Sequence, residues 1–204
     1  MSIVIASCGE KYVALCADCQ HTNVRTGLSE EVNLKKIERL SPHLFVAHCG
    51  SAAMAELCMI PIRTLCASGQ LSTSSVEAIA NALKTAYECG LKKRPDLEDL
   101  CTTKFIIAGK LHIGCFGFII VESENRIVTK ETFDYPTAKL YGPADMSSKE
   151  CATIMDTLAH SEPVISIPEY VENVCRKTVQ TVSTKSNYVS YDSIFEIYSE
   201  YGLG

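Results

Sequence analysis

Two short runs at the start of the chain are apolar at nearly every position, and they restrict the fold more than any other feature of the sequence. They are Ile3–Cys8 and Tyr12–Ala17, and the Gly9-Glu10 pair between them is typical of a hairpin turn. Successive residues of a strand face opposite sides of a sheet, so strands of this kind are expected where both faces are covered. The sequence therefore predicts a hairpin inside a layered structure.

The segments that follow predict further strands and then a pair of helices. His21–Glu31 is polar and predicts a loop or short hairpin, whereas Asn33–Leu40 and Leu44–Cys49 predict strands. Helical periodicity begins after Gly50-Ser51 and appears again over Thr73–Leu91.

Side chains that can bind free backbone N–H groups mark both helix starts. Ser51 is a suitable N-cap, and Ser74 with Glu77 has the spacing of a capping box. Pro61 lies inside the first helical pattern and has no N–H to donate, so it predicts a kink or a break.

The second half of the chain repeats this order, with strands first and helices after them. Ser147 and Glu150 have the spacing of another capping box. The predicted elements are strands at Lys104–Ala108, His112–Val121, Arg126–Thr129 and Ala138–Tyr141, helices at Ser147–His160 and Glu169–Val182, and a last strand at Ser193–Tyr198. Such blocks are typical of an α+β fold, and strands that are apolar on both faces favour two stacked sheets between two helix layers.

The composition narrows the classes of function. The formal net charge of −5 disfavours nucleic acid and anionic membrane surfaces as partners, and no apolar run reaches the ~18 residues of a transmembrane helix. The eleven cysteines lie mostly in apolar runs, which predicts small buried side chains in a reducing compartment. Cys16-Ala17-Asp18-Cys19 has C-x-x-C spacing, but residues three apart on a strand face opposite sides. We therefore predict neither a metal site nor a cofactor.

A hydroxyl, a carboxylate and a lysine pair near the chain start suggest an N-terminal nucleophile. The nucleophile would be Ser2 Oγ, and the α-amine of Ser2, with a pKa of ~8, would accept its proton once Met1 is removed. Asp18 ends the second apolar run. A lysine of the Lys35-Lys36 pair would lower the pKa of that amine and favour an oxyanion.

Four fragments, in this order, resemble the proteasome β-type family, which includes eukaryotic and archaeal β subunits and bacterial HslV. They are Ala17-Asp18, Asn33-Leu34-Lys35-Lys36-Ile37, His48-Cys49-Gly50-Ser51-Ala52 and Ile106-Ile107-Ala108-Gly109. The resemblance implies a single domain over residues 1–204, with the four-layer αββα sandwich of N-terminal-nucleophile hydrolases: two stacked antiparallel sheets between helix pairs. It also implies that Ser2 stands at the family's N-terminal threonine, Asp18 at the family's aspartate and Lys36 at its catalytic lysine.

Two segments depart from the family pattern. Leu140-Tyr141-Gly142-Pro143 stands where the family has a Gly-Ser or Ser-Gly turn, and Asn187-Tyr188-Val189-Ser190-Tyr191-Asp192 is the nearest match to Asp-x-x-Ser-Gly-Gly. Asn187 then replaces a carboxylate, and both glycines are missing. A structural interpretation follows, in which Asp18 accepts backbone hydrogen bonds at its strand end and forms an ion pair with Lys36.

The resemblance therefore implies a non-catalytic β-type subunit of a 20S proteasome core particle, which serves ATP-dependent intracellular protein degradation. Its partners would be other α and β subunits in stacked seven-membered rings and unfolded polypeptide substrate, in the cytoplasm and, in a eukaryote, the nucleus. Two alternatives stay open. One is an active HslV-like N-terminal serine/threonine peptidase that uses Ser2 after removal of Met1, and the other is a non-proteolytic amidohydrolase on the same fold.

Overall fold

Strands and helices follow one another in the block order that the sequence predicts. The computed structural model describes residues 2–22, 29–30, 35–98, 102–112 and 114–201. The strands are β1 (Val4–Gly9), β2 (Tyr12–Asp18), β3 (His21–Thr22), β4 (Ser29–Glu30), β5 (Ile37–Ser41), β6 (Leu44–Cys49), β7 (Lys104–Lys110), β8 (Phe116–Glu124), β9 (Ile127–Asp134), β10 (Thr137–Tyr141) and β11 (Ser193–Ser199). The helices are α1 (Ala52–Ala67), α2 (Val76–Lys93), α3 (Ser148–Ser161) and α4 (Ile167–Ser183), with a short 3-10 helix at Pro95–Glu98.

The opening hairpin lies at the centre of a four-stranded antiparallel sheet with the order β10-β1-β2-β11. Within the hairpin, Val4 is paired with Ala17 and Gly9 with Tyr12. The two outer strands come from distant parts of the chain, since β10 pairs with β1 and β11 with β2. Both hairpin strands therefore have a neighbour on each side, which satisfies their backbone hydrogen bonds inside the sheet.

A second antiparallel sheet contains five strands in the order β5-β6-β7-β8-β9. These strands are neighbours in sequence as well as in space, with α1 and α2 inserted between β6 and β7. The turn from β8 to β9 uses Asn125 and Arg126, both with positive φ. Strands β3 and β4 form a separate small hairpin, in agreement with the short hairpin predicted within His21–Glu31.

Side chains alternate along the first strand between two different cores, which explains why the hairpin is apolar on both faces. Val4 and Ala6 face the five-stranded sheet, in a core shared with β6, β7 and β8. Ile3 and Ile5 face the other way and pack with side chains of α3 and α4. A third core fills the space between the five-stranded sheet and the α1–α2 pair. These layers form a four-layer αββα sandwich, and the predicted fold class is confirmed.

Two of the three predicted helix caps are confirmed and one is wrong. The Ser51 side chain accepts a hydrogen bond from Met54 N–H, and Ser147 with Glu150 forms a complete capping box. The N-cap of α2 is Ser75, not Ser74, because α2 begins at Val76. Glu77 is then the second helical residue and stands one position too early to close a capping box.

The break expected at Pro61 is wrong, because α1 runs without interruption from Ala52 to Ala67. Proline removes one backbone hydrogen bond, but Met54, Cys58 and Ile62 on both sides of it are fully buried against the five-stranded sheet and α2. Tertiary packing thus holds the helix together.

The strand predicted at Asn33–Leu40 starts later than expected. Strand β5 starts at Ile37, residues 35 and 36 are not part of a strand, and residues 33 and 34 lie outside the described residues.

In the described residues no helix has the length and apolarity needed to cross a membrane. The cysteines of the same residues all carry free thiols. Cys16 is buried whereas Cys19 is exposed, so the two cysteines of the C-x-x-C spacing lie in different surroundings. Cys8, Cys58, Cys151 and Cys175 are buried as small apolar side chains, as predicted for most cysteines.

The buried thiols should make the protein less stable at alkaline pH. Burial raises the pKa of Cys16 from 9.0 to about 12, so this thiol keeps its proton in the folded state after the unfolded thiol has lost its own. The contribution of the Cys16 thiol to the free energy of unfolding is complete below pH 9 and falls by about 1.4 kcal/mol for each pH unit above 9. Urea unfolding between pH 8 and 10.5 in reducing buffer should show this loss. Cys16→Ala should make the loss less steep without abolishing it, because burial also raises the pKa values of Cys8 and Cys175, and Cys89→Ala, at an exposed thiol, should leave the profile unchanged.

Candidate active site

A buried ion pair joins the two sheets at the end of the sandwich where the chain begins. Asp18 is the last residue of β2, in the four-stranded sheet, and Lys36 immediately precedes β5, in the five-stranded sheet. Lys36 Nζ lies 2.8 Å from Asp18 Oδ1, and the two side chains are 2% and 0% exposed. The structure thus brings together two of the three residues that the sequence singles out.

The carboxylate of Asp18 accepts hydrogen bonds from four different parts of the chain. Oδ1 accepts from Lys36 Nζ and, at 3.1 Å, from Ile3 N–H. Oδ2 accepts from Gln20 N–H at 3.1 Å and from Ser190 N–H at 3.4 Å. A charged group can remain buried only when its lone pairs are satisfied in this way, so these donors explain why Asp18 is tolerated in the interior. The predicted role of Asp18 as an acceptor for backbone N–H groups agrees with this geometry.

Burial lowers the pKa of Lys36 below its ordinary 10.5, and the neighbouring Asp18 carboxylate opposes part of this effect. The lysine is fixed through its main chain as well, because its carbonyl accepts a hydrogen bond of 3.0 Å from His48 N–H in β6. A lysine with a lowered pKa next to a carboxylate is the kind of group that active sites use for proton transfer or charge stabilisation. Structural ion pairs produce the same signature.

Ser2 lies at the same end of the sandwich and is almost entirely buried, with 8% exposure. The next residue, Ile3, donates its N–H to Asp18, and Asp18 N–H donates in turn to the carbonyl of Ile3. Ile3 packs towards the helices and Val4 towards the opposite sheet. Ser2 thus lies two residues before Val4, the first residue of β1, and next to the residue whose N–H binds Asp18.

The loop before β11 contacts the ion pair through Ser190. Besides the hydrogen bond from its N–H to Asp18, Ser190 Oγ accepts from Cys19 N–H at 3.0 Å and donates to the carbonyl of Asp192 at 2.9 Å. The segment Asn187–Asp192, matched to the family's end motif by resemblance, thus lies against Asp18. The alignment of this segment with the family motif stays a prediction.

Sequence reasoning missed a second carboxylate that holds the same loop. Asp145, in the turn between β10 and α3, accepts a hydrogen bond of 2.6 Å from Ser186 Oγ and one of 3.2 Å from Asn187 N–H. Ser186 Oγ also accepts from Tyr188 N–H, so one aspartate fixes the start of the loop. By the sequence resemblance Asn187 replaces a carboxylate of the family motif, and in the structure its N–H binds the carboxylate of Asp145. The sequence around Asp145 carries no signal beyond that of a polar turn before a helix.

Among the described residues, no group of three or more histidine, cysteine, aspartate or glutamate side chains is arranged to hold a metal ion. This end of the sandwich carries the hydroxyl of Ser2, the amine of Lys36 and the carboxylate of Asp18. A nucleophilic Ser2 would need a free α-amine as its base and Lys36 as the source of positive charge.

No protein-family model and no curated protein matches this chain. Among solved structures, the chain is similar to eukaryotic HslV from Trypanosoma brucei, with a TM-score of 0.59 and 13% sequence identity. The likeness covers 97% of this chain and 99% of that chain. At such low identity it shows a shared fold, in agreement with the sandwich implied by the sequence resemblance. The roles of Ser2, Asp18 and Lys36 stay predictions.

Proposed function

We propose that this chain is a non-catalytic β-type subunit of a proteasome-like core particle, where it completes a ring and forms part of the wall of the proteolytic chamber. The observation that carries this proposal is the bonding of Asp18. Its carboxylate joins β1, the end of β2, the segment before β5 and the loop before β11. These four hydrogen bonds give Asp18 a structural role that does not depend on catalysis. The HslV-like fold supports a proteasome-like protein of either kind, and the missing glycines at Tyr191 and Asp192 support the non-catalytic one.

In this role the chain would act through its neighbours. Its partners would be other α and β subunits in stacked seven-membered rings, with unfolded polypeptide as the substrate of the whole particle. The site of action would be the cytoplasm, and also the nucleus if the source is a eukaryote. The resemblance and the HslV-like fold support a ring assembly, whereas the particular subunits and the location are proposed from the resemblance alone.

A second candidate is an active N-terminal serine peptidase, and one observation favours it. Lys36, with its lowered pKa, and Asp18 lie at the end of β1 where Ser2 is found. In this mechanism Ser2 Oγ would attack the peptide carbonyl carbon while the α-amine of Ser2 takes the hydroxyl proton. The amine would then pass that proton to the leaving amine, and water would release the acyl group from Ser2.

The N-terminus and the reactivity of Ser2 together distinguish the two candidates. For the particle purified from its native source, intact mass and N-terminal sequencing that find a retained Met1 or an acetylated terminus would exclude the peptidase, because Ser2 then has no free α-amine, whereas a free Ser2 permits both candidates and the non-catalytic proposal is then tested by labelling. That proposal predicts that an electrophilic peptide probe leaves Ser2 unlabelled. Labelling of Ser2 that is lost in Lys36→Ala would overturn the proposal in favour of the peptidase. A chain that remains a monomer of about 22 kDa in its native extract would contradict both.

A further inference from the structure

The last residue of β10 packs against the core between the two sheets, at the end of β1 that Ser2 precedes. Tyr141 is the cross-strand partner of Val4, two residues from Ser2. Partners in an antiparallel pair share one face of the sheet, and Val4 belongs to the core between the sheets. Tyr141 also packs against that core. The ring therefore lies on the face that is directed towards the opposite sheet, at the end of β1 that Ser2 precedes.

A row of side chains on the opposite sheet holds this ring in place. Cys49, Lys104 and Glu122 are successive cross-strand partners on β6, β7 and β8. Lys104 Nζ lies 4.6 Å from the centroid of the Tyr141 ring, within the range of a cation–π contact. The same ammonium group forms an ion pair with Glu122. Tyr141 thus connects the edge of one sheet to the middle of the other.

The residues around the Tyr141 ring shield it from solvent. Tyr141 is only partly exposed, and burial raises the pKa of its phenol, with Glu122 and Glu131 adding to the effect. Close to the ring lies Cys49, which belongs to the core between the sheets and is 8% exposed. A peptide that approached Ser2 from between the sheets would have to displace this contact.

We propose that Tyr141 is a built-in plug, which Lys104 holds across the gap between the sheets and which keeps peptides away from Ser2. This inference rests on the proposed non-catalytic function and supplies a physical reason for it. The plug lies in the segment that the sequence resemblance matches to a Gly-Ser or Ser-Gly turn of the family. The side chain that fills the space between the sheets thus belongs to this chain and not to a partner.

The thiol of Cys49 shows whether Tyr141 closes this space. The full chain is treated with N-ethylmaleimide under native, reducing conditions, and alkylation of each cysteine is followed by peptide mass spectrometry. Tyr141→Ala should increase the alkylation rate of Cys49 at least tenfold. Tyr141→Phe keeps the ring over Lys104 and should remain within twofold of the wild type. Cys175, which is buried on the helix side, should stay unreactive in every variant and so shows that the chain is folded.

Unchanged reactivity of Cys49 in a folded Tyr141→Ala chain would overturn the plug and leave the proposed function standing. If Cys175 also reacts in that variant, the Tyr141→Ala chain is not folded, and Lys104→Met is used to test the plug instead. This substitution removes only the cation that holds the ring. It should raise Cys49 alkylation severalfold, and no change would overturn the plug. Labelling of wild-type Ser2 by a peptide probe would instead overturn the proposed function, and this outcome is measured separately from Cys49.

Discussion

Replacing Lys36 with methionine is expected to lower the free energy of unfolding by about 3–5 kcal/mol. The substitution leaves the carboxylate of Asp18 fully buried without its ion partner, because Lys36 Nζ at 2.8 Å is its one charged donor in the described residues. The three backbone N–H groups that remain do not balance the charge. The loss should appear as a lower urea midpoint at pH 7 with an unchanged slope.

The neighbouring lysine provides a matched control for this measurement. Lys35 is exposed and precedes Lys36 in the same segment, so Lys35→Met should change the free energy of unfolding by no more than about 0.5 kcal/mol. A double-mutant cycle with Asp18→Asn then isolates the coupling between the two charges. If Lys36→Met cost as little as Lys35→Met, the ion pair would not be the structural connection described above.

Urea unfolding of Lys36→Met and probe labelling of Ser2 measure different properties of the same site. A buried lysine–carboxylate pair can hold two sheets together and can also support a nucleophile, because both uses need the same burial and the same hydrogen bonds. Stability measurements show whether the pair joins the sheets. Only the chemistry of Ser2 shows whether it also serves catalysis.

The layered fold could be predicted because its strongest signal is local. Each residue of β1 that packs towards α3 and α4 is followed by one that packs towards the second sheet, and this leaves a continuous apolar run in the sequence. The capping box at Ser147 and Glu150 is local as well, and it was found for the same reason. The identity of Asp18 and Lys36 as partners needed the family resemblance, since eighteen residues separate them along the chain.

The features that the sequence did not reveal are contacts between distant segments. Tyr141 meets Val4, and Asp145 meets Ser186, only because β10 pairs with β1 and the loop before β11 folds back beside α3. No periodicity or spacing encodes such a pairing. The continuity of α1 through Pro61 has a related origin, because packing against the sheet overrides a local preference to break.

Gly50 is the point where the chain turns from β6 into α1, close to the ion pair. Its φ of +101° is a conformation that side chains rarely adopt. A Cβ built at this position would lie 2.0 Å from the carbonyl oxygen of Thr102 and 2.9 Å from the Cα of Thr103. Both are backbone atoms just before β7, so neither can move aside without shifting the strand. The turn therefore requires glycine for two independent reasons.

Gly50→Ala is accordingly expected to destabilise the protein by about 4 kcal/mol, from backbone strain of roughly 1–3 kcal/mol together with a steric overlap of similar size. Gly69→Ala separates the two contributions, because Gly69 also has a positive φ, of +71°, but a Cβ added there would meet no atom within 4 Å. That control should cost only roughly 1 kcal/mol, the strain of a left-handed alanine. Urea unfolding of both variants at pH 7 measures the difference. Equal losses would mean that the contact with Thr102 does not constrain the turn. A larger loss at Gly50 would show that the close approach of the residues before β7 requires glycine at the start of α1.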